Sequence, residues 1–248
     1  MKILTTVKRV ADPDMKINIS EDGSELVTEG AEFVLNQMDE WGVEEAIQLK
    51  EEHGGEVVAV SVGPSAATKE IRTALAMGAD RGILVETDES PDSDAVARIV
   101  AEIAREEEPD VITLGKLSLD TDRNQTGQLL AGYLDWPQAT YAYDVEVDGE
   151  ALVVGREIDG GANTKRCQMP CIVTAIERLN EPRYASLPGI MKAKKKPIDT
   201  KTPADLGVDI APKVEAVQYD LPPEREAGEI VEDVDELIDK LKNEANVI

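Results

Sequence analysis

Residues 56–86 read EVVAVSVGPSAATKEIRTALAMGADRGILVE, and this stretch decides the fold. Glu56–Val62 is a β-branched run that stops at Gly63-Pro64. Ser65–Met77 follows as a predicted helix and closes on Gly78, a residue suited to the position after a helix C-terminus. Gly82–Glu86 is a second short strand. Working outward, the same alternation continues on both sides. Upstream, Lys2–Val7 reads as a strand, Met15–Ser20 and Ser24–Thr28 flank the hairpin signal Glu21-Asp22-Gly23, and Asn36–Glu52 is helical with Asn36 as N-cap. Downstream, Ser93–Glu107 places Val96, Ile99, Val100 and Ile103 on one helical face, Asp110–Leu114 is a buried strand ending at Gly115, and Asn124–Leu134 is another helix. Repeated β-α units predict an α/β fold with three layers, a mostly parallel sheet carrying helices on both faces. Such sheets bind ligands beyond the strand C-termini, which directs attention to Lys8–Asp14, Gly63–Ala66 and Lys116–Gln125.

The pattern changes after Tyr141. Asp144–Val147, Ala151–Ile158 and Cys171–Ile176 read as antiparallel strands added to the same sheet, joined at Asp148-Gly149 and Asp159-Gly160-Gly161. Residues 1–200 are expected to form one α/β domain. Residues 201–248 form a C-terminal arm, broken by Pro203, Pro212, Pro222 and Pro223 and ending in an amphipathic helix at Val231–Lys242. That arm fits either a partner chain or the surface of its own domain.

Composition narrows the function. Among 248 residues there are 51 acids and 26 Lys or Arg, a formal net charge of −25. Phosphate backbones and anionic membranes are repelled by such a surface, and an aromatic content of 3% leaves little for base stacking. The acidic balance fits a halophilic protein in a salty cytoplasm, or a partner that carries the compensating charge. No apolar run is long enough to span a bilayer, and the opening Lys2–Val7 lacks the features of a signal peptide. Cys167 and Cys171 cannot make a disulfide framework, so a reducing cytoplasm is expected.

Catalytic sets are scarce. The one histidine, His53, sits in a Glu-Glu-His-Gly-Gly helix end and reads as a surface residue. The two cysteines lie four apart without a ligand-rich neighbourhood, which favours buried thiols over a metal site. Neither a phosphate loop of the Gly-x-x-x-x-Gly-Lys-Ser/Thr type nor a Gly-x-Gly-x-x-Gly turn is present. Two segments stand out instead. The loop 114–128 leaves a buried strand and enters a helix, and a helix N-terminus offers free N–H groups to a phosphate; many such loops bind nothing. The segment 179–196 is loop-like, with Leu187, Ile190 and Met191 just ahead of Lys192, Lys194, Lys195 and Lys196. It fits a docking site with an apolar anchor and charged rim, or a solvated basic turn.

The chain resembles the β subunit of electron transfer flavoprotein. The resemblance is carried by Val7-Lys8-Arg9-Val10, the run 73–82, Asn124-Gln125-Thr126-Gly127-Gln128, Asp135-Trp136-Pro137-Gln138, Arg156-Glu157-Ile158-Asp159-Gly160-Gly161 and the 179–196 segment, and spans most of residues 1–210. It implies a Rossmann-like adenine-nucleotide fold, and a heterodimer in which the α subunit holds most of the FAD. It implies electron transfer, with no catalytic activity in this chain alone. Electrons would pass from acyl-CoA and related dehydrogenases of fatty acid β-oxidation, through FAD, to a membrane quinone oxidoreductase.

By the same resemblance AMP is bound here by Thr6, Asn36, Val62, Ser118, Leu119, Asp120, Asp122, Asn124, Gln125, Thr126, Gly127 and Gln128. Leu187, Pro188, Ile190, Met191 and Lys192 would dock the dehydrogenase, and Glu157 and Met38 would lie near the flavin. The chain departs from its relatives at Pro13, Met38, Asn163 and Lys165. Two alternatives stay open: a flavin-bifurcating subunit with a second FAD in place of AMP, and a stand-alone nucleotide-binding module.

Overall fold

The apolar run Val57–Val60 is buried on both sides in the computed structural model, which describes residues 1–248 apart from Ile17, Glu215 and Glu226. The chain opens with β1 (Lys2–Thr6), β2 (Arg9–Ala11), β3 (Asn18–Ile19), β4 (Leu26–Val27) and β5 (Phe33–Leu35). Helix α1 (Gln37–His53), β6 (Glu56–Gly63), α2 (Thr68–Met77), β7 (Arg81–Glu86), α3 (Ser93–Glu107), β8 (Val111–Gly115) and α4 (Thr126–Leu134) follow. Then come β9 (Gln138–Asp148), β10 (Ala151–Ile158), β11 (Gly161–Gln168), β12 (Cys171–Ala175), α5 (Leu187–Ala193), β13 (Ile198–Lys201) and α6 (Val234–Asn243).

Among the described residues, nine strands form one sheet in the order β11-β10-β9-β12-β8-β1-β6-β7-β13. From β9 to β13 every neighbouring pair is parallel; only β9-β10 and β10-β11 are antiparallel. Side chains alternate between two cores, as the period of a strand requires. Ile3, Val57, Ala59, Leu84, Val111 and Val173 face α1 and α2. Leu4, Val58, Val60, Ile83, Ile112 and Ile172 face α3 and α4. The predicted three-layer α/β architecture is therefore present.

The differences from the sequence reading have local causes. Cys171–Ile176 was expected to be antiparallel; β12 is parallel to both its neighbours, β8 and β9, because β11 has already reversed the direction of β10 and the chain continues the same way into β12 after two residues. Strand β11 was missed because its side chains are polar and nearly all exposed, which removes the apolar alternation. Strands β2 and β5 pair antiparallel over three residues, too short to give a period. The predicted hairpin shrinks to β3 and β4 around Gly23, which takes a left-handed φ of 73°; Ile17, inside the first predicted strand, lies outside the described residues.

The chain divides into two compact units. One comprises Met1–Asn18 with Thr28–Ala216, and the other Ile19–Val27 with Val217–Ile248. Residues 202–216 belong to the first, where Leu206, Val208 and Ile210 pack on the α3 side. In the second, α6 is capped by Asp233, whose side chain accepts from the Glu236 N–H, and its Val234, Leu237 and Ile238 are exposed.

Candidate functional site

The chain goes from β1 to β6 and β7 on one side, then crosses to β8 on the other side of β1. The C-terminal ends of β1 and β8 thus flank the point where strand order reverses, which is where open α/β sheets place their ligands. Three features of the sequence converge there. The short β2–β5 ribbon sets Lys8 opposite Asn36, whose backbone N–H donates to the Lys8 carbonyl at 2.8 Å. Gly115 ends β8, and a Cβ there would lie 2.5 Å from the backbone carbon of Met38, so only glycine lets the first turn of α1 approach. The loop after Gly115 then folds over both.

Asn36 stands at the N-cap position of α1 but makes no side-chain cap. Its amide reaches the loop instead: Nδ2 donates to the Leu117 carbonyl at 3.0 Å, and Oδ1 accepts from the Leu119 N–H at 3.1 Å. Asp39, also buried, accepts from the N–H groups of Lys8 at 2.9 Å and Gly115 at 3.1 Å. Burial pushes its carboxyl up to about 6, against the pull of those donors. The Lys8 ammonium donates to Ser118 Oγ at 3.1 Å and to Asp120 Oδ1 at 2.8 Å. Burial raises the Asp120 carboxyl, but the Lys8 charge and hydrogen bonds outweigh it and hold the group below its ordinary range. Lys8 and Asp39 were not singled out from the sequence; Lys8 fell in a segment marked for inspection, while Asp39 looks like an ordinary first-turn acid.

Helix α4 begins at Thr126, not at Asn124 as expected. Asn124 has a left-handed φ of 47°; its Nδ2 donates to the Tyr141 hydroxyl, and its Oδ1 accepts from Gln128 Nε2 at 3.1 Å. Two consequences matter chemically. The first turn of α4 has neither a side-chain cap nor an acidic residue, so its N–H groups are open to an anion. Gln128 Oε1 is buried and has no hydrogen-bond partner among the described residues.

Thr6 and Val62 are half-buried near the ends of β1 and β6, while Ser118, Leu119 and Asp120 lie on the loop that Asn36 and Lys8 hold. Asp122 has a left-handed φ of 48° and donates its N–H to the Ser118 carbonyl at 2.8 Å. Met38 lies in the first turn of α1 beside Gly115, and Glu157 lies near the end of β10, 3.7 Å from Arg178 Nη1. Cys167 and Cys171 are buried, and burial pushes the Cys171 thiol up to about 12. Among the described residues no group of three or more His, Cys, Asp or Glu is placed to hold a metal ion. Among them, too, no helix is long and apolar enough to cross a membrane.

The 179–196 segment is not a loop throughout. Ser186 accepts from the Gly189 N–H at 3.1 Å and caps α5, with Pro188 in its first turn where a missing N–H costs nothing. Lys192, Lys194 and Lys195 are exposed. Lys196 is not part of that rim: its ammonium donates to the carbonyls of Leu75 and Ala79 at the C-terminal end of α2. Leu187 is 73% exposed, and Ile190 and Met191 are exposed beside it.

One buried carboxyl here yields a pH prediction. Glu45 on α1 accepts from Asn180 Nδ2 at 3.1 Å. Burial pushes its carboxyl up to about 7 from 4.5, opposed by that bond and reinforced by Glu44, Asp144 and Glu52. A raised folded value means that this group stabilises the fold below pH 4.5 and that the contribution is lost as pH rises through 7. Glu45→Gln should therefore be more stable than wild type at pH 8 by on the order of 2 kcal/mol and converge with it near pH 5. Parallel stability curves for the two proteins from pH 5 to 8 would rule this out.

Comparison with known proteins bears on the class. An electron transfer flavoprotein domain matches residues 24–206. The chain is 52% identical to the electron transfer flavoprotein subunit beta of Bradyrhizobium diazoefficiens, with 100% of each chain covered. It is 49% identical to the human protein of the same name, covering 98% of this chain and 97% of that one. It is 48% identical to the Oryza sativa subsp. indica protein named electron transfer flavoprotein subunit beta, mitochondrial, with 100% of each covered. The chain belongs to the electron transfer flavoprotein β-subunit family and is a component of an electron transfer flavoprotein.

Proposed function

We propose that this β subunit pairs with an α subunit that holds most of the FAD, and that its own switch-point site binds AMP as a structural ligand. The observation that carries the AMP reading is the uncapped, acid-free N-terminus of α4 beside the partnerless Gln128 Oε1. Backbone N–H groups at the start of α4 would receive the phosphate. Thr6, Asn36 and Val62 would line the nucleoside with residues 118–122, and Asn124 to Gln128 would complete the cradle. Lys8 is engaged by Asp120, so the phosphate charge falls chiefly to the α4 N-terminus. FAD, when bound, supplies the electron-carrying chemistry. This chain's contribution is to close over it with Met38 and Glu157 and to present the docking surface on α5, without a reaction of its own.

Electrons then pass from acyl-CoA and related dehydrogenases to a membrane quinone oxidoreductase. The exposed Leu187, Ile190 and Met191 support a docking role, as does the lack of any other use for them within the chain's core. The part of the arm beyond residue 216 packs on the α subunit, an assignment supported by the exposed apolar side chains of α6. Denaturing the purified heterodimer should release one AMP and one FAD. Two FAD and no AMP would assign the site to flavin bifurcation, and a colourless monomer would favour the stand-alone module.

A reducing, salt-rich cytoplasm is the compartment we assign, on the two free buried cysteines and the net charge of −25. Screening shortens from about 10 Å at 0.1 M to about 3 Å at 1 M salt. The melting temperature should accordingly rise with KCl over that range, and a flat or falling trend would remove the halophilic assignment.

A further inference from the structure

Helix α5 is attached to the fold at both ends. On its C-terminal side Arg72 of α2 donates to the carbonyls of Ala193 and Lys196, and Lys196 returns to α2. A Cβ on Gly189 would lie 2.6 Å from the Ala76 carbonyl, so α5 rests directly on α2. On its N-terminal side the holding groups are different. Glu44 and Glu51 of α1 stand two helical turns apart and therefore on one face. Arg183 bridges them: Nε reaches Glu44 Oε2 at 2.9 Å, Nη2 reaches Glu44 Oε1 at 2.9 Å, and Nη1 reaches Glu51 Oε1 at 2.6 Å. The Arg183 backbone N–H also donates to Glu44 at 3.2 Å. Glu44 is almost fully buried, 3% exposed at its side chain. Asn180 adds a bond from Nδ2 to the Trp41 carbonyl at 3.1 Å. Arg183 precedes Leu187 by a single helical turn's worth of residues, and between them Tyr184 is fully open to solvent.

We propose that Arg183, clamped by Glu44 and Glu51, is a positioning residue that fixes where α5 presents Leu187, Ile190 and Met191 to an electron-donating dehydrogenase. The inference rests on the docking reading above and adds how that surface is held. An apolar anchor on a free loop must be ordered at each encounter, which weakens binding; one held in place beforehand need not be. The guanidinium spends its planar fork on two carboxylates of its own chain, so its effect on docking is exerted through α5.

The test uses the intact heterodimer and a purified acyl-CoA dehydrogenase with its acyl-CoA. In Arg183→Met, the KM for the flavoprotein should rise about tenfold with kcat within twofold, since one ordered side chain is worth about a factor of ten. Reduction of its flavin by dithionite, which needs no docking, should be unchanged. Glu44→Gln and Glu51→Gln leave Arg183 in place and should each raise KM at least threefold. Arg183→Met combined with Leu187→Ala should be no worse than the worse single variant. Unchanged KM in Arg183→Met overturns the proposal. So does a rise in Arg183→Met with both glutamine variants silent, which would mean that Arg183 touches the dehydrogenase itself. Additive effects in the double variant, or slowed dithionite reduction, overturn it too. Should Arg183→Met not assemble, Glu51→Gln, which alters an exposed carboxylate, decides alone. An unchanged KM in Leu187→Ala would instead remove the docking reading on which the proposal stands.

Discussion

Alanine at position 36 should lower the melting temperature of the protein by roughly 5–10 °C and strip most of the nucleotide from it, because two part-buried backbone groups lose a side-chain partner. Asn36 is 1% exposed and bonds the Leu117 carbonyl and the Leu119 N–H at once. A buried polar group left without a partner costs about 1–3 kcal/mol. The same bonds fix the course of residues 117–119 over the strand ends, so the pocket loses shape as the fold loses stability. A bound nucleotide also stabilises by mass action, which makes the two losses reinforce each other. Asn36→Asp offers a sharper reading than alanine. It keeps an acceptor for Leu119 and loses the donor to Leu117, placing a negative charge at a site that already holds Asp39 on α1 and Asp120 on the loop. It should therefore lose nucleotide at least as fully as alanine. The check is AMP recovered per heterodimer by chromatography, alongside calorimetry. Full AMP content in Asn36→Ala would place the nucleotide elsewhere.

Truncating Leu187 should weaken electron uptake from an acyl-CoA dehydrogenase roughly thirtyfold, about 2 kcal/mol, with assembly and AMP content intact. The side chain is 73% exposed and contributes nothing to either core, so its removal leaves the fold alone. Lys192, Lys194 and Lys195 line the same surface on a chain of net charge −25. Their contribution should appear in the association rate and fade with salt, whereas the Leu187 effect should persist at high salt. Stopped-flow reduction at two ionic strengths separates them. Normal electron transfer in Leu187→Ala, or failure to assemble with the α subunit, would exclude the anchor role.

Much of this was legible in the chain itself. The run 56–86 contains two buried strands and the helix between them, and its apolar periodicity is strong enough to specify a parallel α/β sheet before any contact is known. Elements whose burial comes from distant partners were not legible. Strand β12 lies in the parallel part of the sheet because β8 and β9 flank it, which no local pattern in Cys171–Ala175 reveals. Helix α5 looked like a loop because Pro188 and Gly189 lie in its sequence. In the fold Pro188 occupies the first turn, and Gly189 is what lets the helix rest against Ala76.

The site divides the same way. Sequence alone determined that a loop at 116–128 leaves a buried strand for a helix, and that an apolar and basic segment precedes residue 197, because strand and helix propensity and charge are local properties. Only the tertiary structure decided how those pieces are used. Asn36 bonds the loop instead of capping α1, Lys8 is claimed by Asp120, Lys196 leaves the basic rim to bind α2, and Arg183 joins the docking segment to two carboxylates on α1. The physical reason is that a hydrogen bond or ion pair depends on the placement of both partners. Here those partners are brought together by sheet order and by the close approach at Gly115, from positions as far apart in the chain as 44 and 183.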